Sequence, residues 1–223
     1  MLTTQIDEFI QAIKKGDNQR VLELLKREPS LANAVDADGT SAVFLALYRG
    51  NSQLAGEVAS RKSMIDVFEA ACLGKLELVK RLVDSDSSLV KSHSPDGFTA
   101  LALAAYVGQK DAAEYLLSRG ADPNSVAKNE TGFTALTGAV SQNHNEIARL
   151  LIKNGANVNY VYEGGFTPLM HAAAAGNGEL VKILVDGGAD PTTKNSEGKT
   201  ALAFARENKH YDVVELLNKH GAA

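Results

Sequence analysis

The stretch Gly165-Phe166-Thr167-Pro168-Leu169-Met170-His171-Ala172-Ala173, continued by Gly-Asn-Gly-Glu-Leu-Val-Lys-Ile-Leu-Val from Gly176 to Val185, decides how this chain is read. Thr167 stands where a hydroxyl can cap a helix, and Pro168 suits a first helical position whose N–H needs no intrahelical partner. Leu180, Ile183 and Leu184 recur at the helical period, which predicts a second helix, and Gly188 suits the left-handed conformation that ends it. The parts of this stretch return along the chain. Gly-Phe-Thr occurs at residues 97–99, 132–134 and 165–167, and Gly198-Lys199-Thr200 follows, so the successive offsets are 35, 33 and 33. Each threonine is followed 21 residues later by a glycine, at Gly120, Gly155, Gly188 and Gly221, and the first three open Gly-Ala-Asp or Gly-Ala-Asn.

This pattern resembles the ankyrin repeat, a unit of about 33 residues in which a turn precedes two antiparallel helices around a Thr-Pro-Leu-His-x-Ala core. The resemblance is specific from Pro95 to the C-terminus. Earlier units are degenerate and emerge from an internal offset of 58, which aligns Gly16 with Gly74, Ser30-Leu31 with Ser88-Leu89, and Asp38-Gly39 with Asp96-Gly97. The resemblance implies an all-α fold, an ankyrin-repeat solenoid of stacked helix-turn-helix units with short hairpin fingers. One domain is expected over 1–223, with units at approximately 4–37, 38–62, 63–94, 95–129, 130–163, 164–195 and 196–223.

Such a unit cannot bury both faces alone, so stability comes from stacking. Small residues such as Ala104, Ala105, Ala139, Ala172 and Ala173 let first helices approach closely, while second helices carry larger groups such as Ile147, Leu150 and Leu151. The third unit has no Asp-Gly turn around Ser60-Arg61-Lys62-Ser63, so its finger is expected to be shortened or missing. At the ends, Arg20, Glu23 and Asn218 replace apolar residues of interior units, which reads as capping and leads to the expectation of a complete array. The family's usual histidine is absent from the four well-formed units, where Ala102, Thr137, Met170 and Ala203 take its place.

Composition narrows the function. The 23 Lys and Arg against 27 Asp and Glu give a net charge of −4, and neither end hides a basic block, which argues against a nucleic-acid partner. The single cysteine, Cys72, can form neither an intramolecular disulfide nor a cysteine zinc cage. The opening MLTTQIDEFIQAIKK breaks its apolar residues with Gln5, Asp7, Glu8 and Gln11, unlike a signal peptide, and no run approaches the roughly 20 apolar residues that span a bilayer. A cytoplasmic protein is expected, unless a leader was removed before this numbering, with no membrane partner.

Catalysis finds no support in the residues. The five histidines, His93, His144, His171, His210 and His220, read as falling at unrelated repeat positions, with no His-Glu-x-x-His or Cys-x-x-Cys spacing. His171 reads as a packed or hydrogen-bonded side chain, and Cys72, behind Ala70 and Ala71, as a small packing residue. Gly164-Gly165 lacks the following Lys-Ser or Lys-Thr of a phosphate loop. No enzyme activity, cofactor or metal is expected.

The resemblance implies recognition of another protein through the concave surface of fingers and first helices. The variable pair before the glycine that ends each first helix runs Lys14-Lys15, Tyr48-Arg49, Cys72-Leu73, Tyr106-Val107, Ser141-Gln142, Ala174-Ala175 and Glu207-Asn208. Tyr, Arg and large apolar groups gather in units two to four, the composition of an interface hot spot, which places a candidate anchor site at Tyr48, Arg49, Leu73, Tyr106 and Val107. A second row, Phe98, Phe133 and Phe166, either grips an extended peptide or packs against the next finger. Tyr160 and Tyr162, two residues apart, would project from one side of a finger, as exposed contacts or as local packing. The expected function is a monomeric, non-enzymatic adaptor or regulator that holds a protein partner. The alternative is an inhibitor or immunity protein that blocks a partner enzyme's active site.

Overall fold

The first helix of every unit from the second onward begins at a side chain that accepts a hydrogen bond from the backbone three residues ahead. Ser41, Asp66, Thr99, Thr134, Thr167 and Thr200 take the N–H of Phe44, Glu69, Ala102, Thr137, Met170 and Ala203. Each cap satisfies one of the donors that a helix start leaves unpaired. The opposite signal works at the other end of the unit, where Gly120, Gly155, Gly188 and Gly221 turn the chain with φ of 87, 87, 91 and 83°.

The computed structural model describes residues 2–221. Among these the chain forms seven helix pairs: α1 Leu2–Lys15 with α2 Asn18–Arg27, α3 Ala42–Tyr48 with α4 Ser52–Ser60, α5 Val67–Cys72 with α6 Leu76–Ser85, α7 Ala100–Val107 with α8 Lys110–Ser118, α9 Ala135–Ser141 with α10 Asn145–Lys153, α11 Pro168–Ala174 with α12 Gly178–Asp186, and α13 Ala201–Glu207 with α14 Tyr211–Lys219. The first helices pack on one another in order as one layer, and α6, α8, α10, α12 and α14 stack as a second. Ala104, Ala105, Ala139, Ala172 and Ala173 are wholly buried between first helices, and Ile147, Leu151, Leu180 and Leu184 fill the space between layers. The result is an all-helical ankyrin-type solenoid with a thin continuous core.

The offset of 58 has a structural counterpart. Two 3-10 turns, Pro29–Asn33 and Ser87–Lys91, stand 58 residues apart, each opened by an acid, Glu28 or Asp86, that accepts from the N–H of Ser30 or Ser88.

Fingers precede most first helices. They close through the bridges Val35–Ser41, His93–Thr99 and Tyr162–Phe166, and through hydrogen bonds from Ala127 N to Phe133 O and from Asn195 N to Lys199 O. Residues 61–66, before α5, form no such bridge. The fingers of units two and four therefore meet, and a Cβ on Gly39 would lie 3.6 Å from Pro95 Cβ.

At the same seam lies a charge the sequence reading missed. Glu69 occupies in unit three the place of the family's histidine, and its side chain is 1% exposed. Lys62 Nζ approaches it to 2.6 Å and the Ser41 hydroxyl donates to it at 2.8 Å, so the buried carboxylate links units two and three where a finger is lacking.

Candidate protein-binding face

The α7–α9 seam positions the site. Tyr106 lies in the last turn of α7, and its carbonyl is held by the ring of His144, whose Nε2 lies 3.1 Å away. His210 makes the same 3.1 Å contact to the Ala174 carbonyl two units later, and Gln109 donates at 3.2 Å to the Cys72 carbonyl. The histidines thus do not all fall at unrelated positions. His144 and His210 both stand at the N-cap position of second helices at one repeat register, with their rings turned to the preceding unit, a regularity hidden because Gln109 and Asn177 interrupt it. These side chains fill the space over Gly74, Gly108 and Gly176, where a Cβ would come within 2.6, 2.7 and 2.5 Å of the overlying group.

Tyr48 and Tyr106, from units two and four, meet edge to face with ring centroids 6.0 Å apart. Tyr48 also stacks on Phe44 and donates its hydroxyl to Asp96 Oδ2 at 2.5 Å. Burial, with the Asp96 carboxylate second, pushes the Tyr48 phenol far above its ordinary value. On one side of this pair, Tyr48, Phe98, Ala102, Leu103, Tyr106, Thr131, Phe133, Thr134 and Gly138 line a cleft of about 220 Å³ whose walls are almost entirely carbon. On the other side, Val107 joins Gln142 and His144 around a more polar depression.

The remaining candidates separate into four groups. Leu73 is half-buried against the core. Arg49 is turned toward unit one, donating from Nη1 to the Lys14 carbonyl at 2.6 Å, so its guanidinium already serves the array itself. Phe166 lies away from the cleft, in a cluster with Tyr162 at 6.4 Å, His171 at 5.7 Å and Phe204 at 5.4 Å between ring centroids. Tyr162 reaches back to Phe133 at 5.6 Å, so an aromatic ladder runs from the cleft toward the last unit. Tyr160 and Tyr162 are half-buried, and the exposed side chain is Val161 between them, at 52%. The physical reason is the period of two, which turns both tyrosines toward the preceding finger and leaves the valine outside.

Sequence reasoning missed Asp96, Ala102, Thr131 and Gly138. Of these, Gly138 carried a signal, since a glycine inside a strongly helical segment asks for a reason. Among the described residues, no group of three or more His, Cys, Asp or Glu side chains is arranged to hold a metal ion, and no helix is long and apolar enough to cross a membrane. Burial raises the pKa of the Cys72 thiol, with nearby Asp96, Asp66 and Glu69 adding to it, which is the reverse of what a nucleophile needs.

Two family profiles match this chain, one described as ankyrin repeats in three copies over residues 67–162 and one as ankyrin repeats in many copies over residues 151–205. The chain belongs to the ankyrin-repeat family. Ankyrin repeats are protein–protein interaction modules and generally non-enzymatic, and they bind protein partners. Among curated relatives, the ankyrin array is 35% identical to the rat ankyrin repeat and SAM domain-containing protein 6 over 154 residues, 68% of this chain and 14% of that protein. It is 32% identical to the human ankyrin repeat and SOCS box protein 3, covering 54% of this chain and 32% of that protein. An ankyrin repeat-containing protein of Treponema pallidum (strain Nichols) is 34% identical over 151 residues, 68% of this chain and 42% of its own length. The array therefore spans much less than two thirds of these relatives.

Proposed function

We propose that this array is an adaptor or regulator that seats a protein partner against its first-helix face between Tyr48 and Val107, with the fingers of units four and five closing on the partner. The observation that carries the reading is the apolar cleft at the α7–α9 seam, flanked by the half-exposed rings of Tyr48, Phe98, Tyr106 and Phe133. Interfaces gain most of their energy from a few aromatic groups around a desolvated centre, and at this seam four rings border open space lined by carbon.

The walls of the cleft come mainly from first helices and the inner side of the fingers rather than from finger tips. That placement favours a segment lying along the face over a plug driven into an enzyme's active site. The test is titration calorimetry of a captured partner against the wild type and against Tyr106→Ser and Leu73→Ser, with circular dichroism as the control for folding. Loss of about tenfold or more in affinity, close to 1.4 kcal/mol, supports the reading. Unchanged affinity in a folded protein overturns it, and stoichiometric loss of the partner's enzymatic activity favours the inhibitor reading instead.

A further inference from the structure

The repeats supply their own standard for what belongs in the cleft. The fifth position after the caps, counting the cap as first, holds Leu103, Gly138, His171 and Phe204 in units four to seven. In unit seven Phe204 lies on Phe166 of unit six, centroid to centroid 5.4 Å, and in unit six His171 lies 5.4 Å from Tyr162, which in turn meets Phe133. Phe98 of unit four has the same register as Phe166, yet the residue that would lie on it from unit five is Gly138. The cleft opens there, bordered by both.

Nothing in the packing demands that glycine. A Cβ on Gly138 would meet Tyr106 Cβ at 3.5 Å and the Ala102 carbonyl at 3.6 Å, ordinary contacts, and the residue does not adopt positive φ. Glycine inside a helix costs about 0.5–1 kcal/mol relative to alanine, so the chain gives up stability at the point where it leaves the aromatic ladder open. The opening, about 220 Å³, exceeds the ~150 Å³ of an apolar cavity known to take up benzene.

Its polar groups are already engaged. The Tyr48 hydroxyl is bonded to Asp96, the Thr134 hydroxyl caps α9, and the Thr131 hydroxyl is bonded to Asn129 Oδ1. On the fingers of units two, five and six, Asp38, Glu130 and Glu163 are exposed and form no ion pair among the described residues, and the exposed Lys128 is the nearest cation in sequence to Glu130. Asp96 adds a fourth carboxylate at the rim.

Resting on the protein-binding reading above, we infer that the cleft receives one phenylalanine-like side chain of the partner, from a segment that carries Lys or Arg beside it. The partner's ring takes the place that Phe204 takes on Phe166, and the basic flanks meet the finger carboxylates.

The test uses the full chain with two probes. Toluene, the phenylalanine side chain in isolation, is titrated by NMR, and a random-peptide phage library is selected on the immobilised protein. The expected result is saturable shifts at the Ala102 and Gly138 amides and enrichment of peptides with Phe beside Lys or Arg. Gly138→Phe, which restores the ladder internally, should abolish the toluene shifts and weaken those peptides by about tenfold or more. If that variant does not fold, Ala102→Leu fills the same cleft from α7. Toluene shifts that are absent from the cleft, or selected peptides that bind the filled variants as well as the wild type, overturn the inference. Peptides that ignore the cleft filling but are lost with Leu73→Ser leave the proposed function standing while removing this one. A library that yields no binder to any face removes both.

Discussion

Tyr48 and Asp96 are joined by a hydrogen bond of 2.5 Å from the phenol hydroxyl to the carboxylate, although one belongs to unit two and the other to the finger of unit four. The bond exists because residues 61–66 raise no finger between them. It sets the angle of the Tyr48 ring against Tyr106 and so one wall of the cleft.

Tyr48→Phe should therefore lower stability by about 0.5–1.5 kcal/mol, the usual worth of one hydrogen bond, while leaving the ring in place. The phenol's pKa is raised by burial and by Asp96, so its contribution is present below the unfolded value near 10 and is lost as pH rises beyond it. Denaturant titrations from pH 8 to 11 should show a decline above pH 10 that is smaller in Tyr48→Phe. An identical decline in both proteins would contradict the assignment.

Lys62→Met should be among the most damaging single changes in the array. It leaves Glu69, 1% exposed, without its cation, and breaking one partner of a buried pair costs about 3–5 kcal/mol. Lys62→Met combined with Glu69→Leu should recover most of that loss, and a double-mutant cycle in urea measures the coupling. Additive losses would show that the pair contributes nothing together.

Two glycines should respond with opposite signs. Gly176→Ala places a Cβ 2.5 Å from the His210 ring at φ of 71°, and a loss of about 1–2 kcal/mol is expected. Gly138→Ala meets only ordinary contacts in a helix and should gain about 0.5–1 kcal/mol. Thermal melts of the two variants decide this directly.

His171 supplies an acid-side signature. Burial among Tyr162 and Phe166 lowers its pKa, so the folded state resists its protonation. Stability is then intact above the unfolded value of about 6.5 and falls as pH drops below it. His171→Phe should flatten the stability profile between pH 7 and 5, and an unaltered profile would exclude the histidine as its source.

Cys72, 1% exposed with its thiol pushed upward by burial, should react with a thiol reagent only as the array opens. Labelling at pH 8 should follow the unfolding rate across a urea series. Prompt labelling of the native protein would refute this.

Much of the architecture is written in single residues. Thr99, Thr134, Thr167 and Thr200 announce helix starts because a cap is a local device, complete within four residues, and Gly120, Gly155 and Gly188 announce turns because positive φ is a property of one backbone position. The aromatic content of units two to four was also legible, as was the missing finger of unit three. What each ring faces was not. Arg49 turns to Lys14, Tyr162 folds back on Phe133, and Tyr48 reaches past unit three to Tyr106 and Asp96. Along the chain Glu69 is one acid in a short helix, and only the approach of Lys62 and Ser41 makes it a buried partner.

The sequence by itself determined the period, the helix pairs and the family, because these follow from spacings of a few residues repeated along the chain. The tertiary structure alone decided where the surface is open, because a cleft depends on which side chains of different units are stacked into one another's reach. Gly138 shows the division: along the chain it is one small residue in a helix, and only beside Phe98 and Tyr106 does it become a place for a ring.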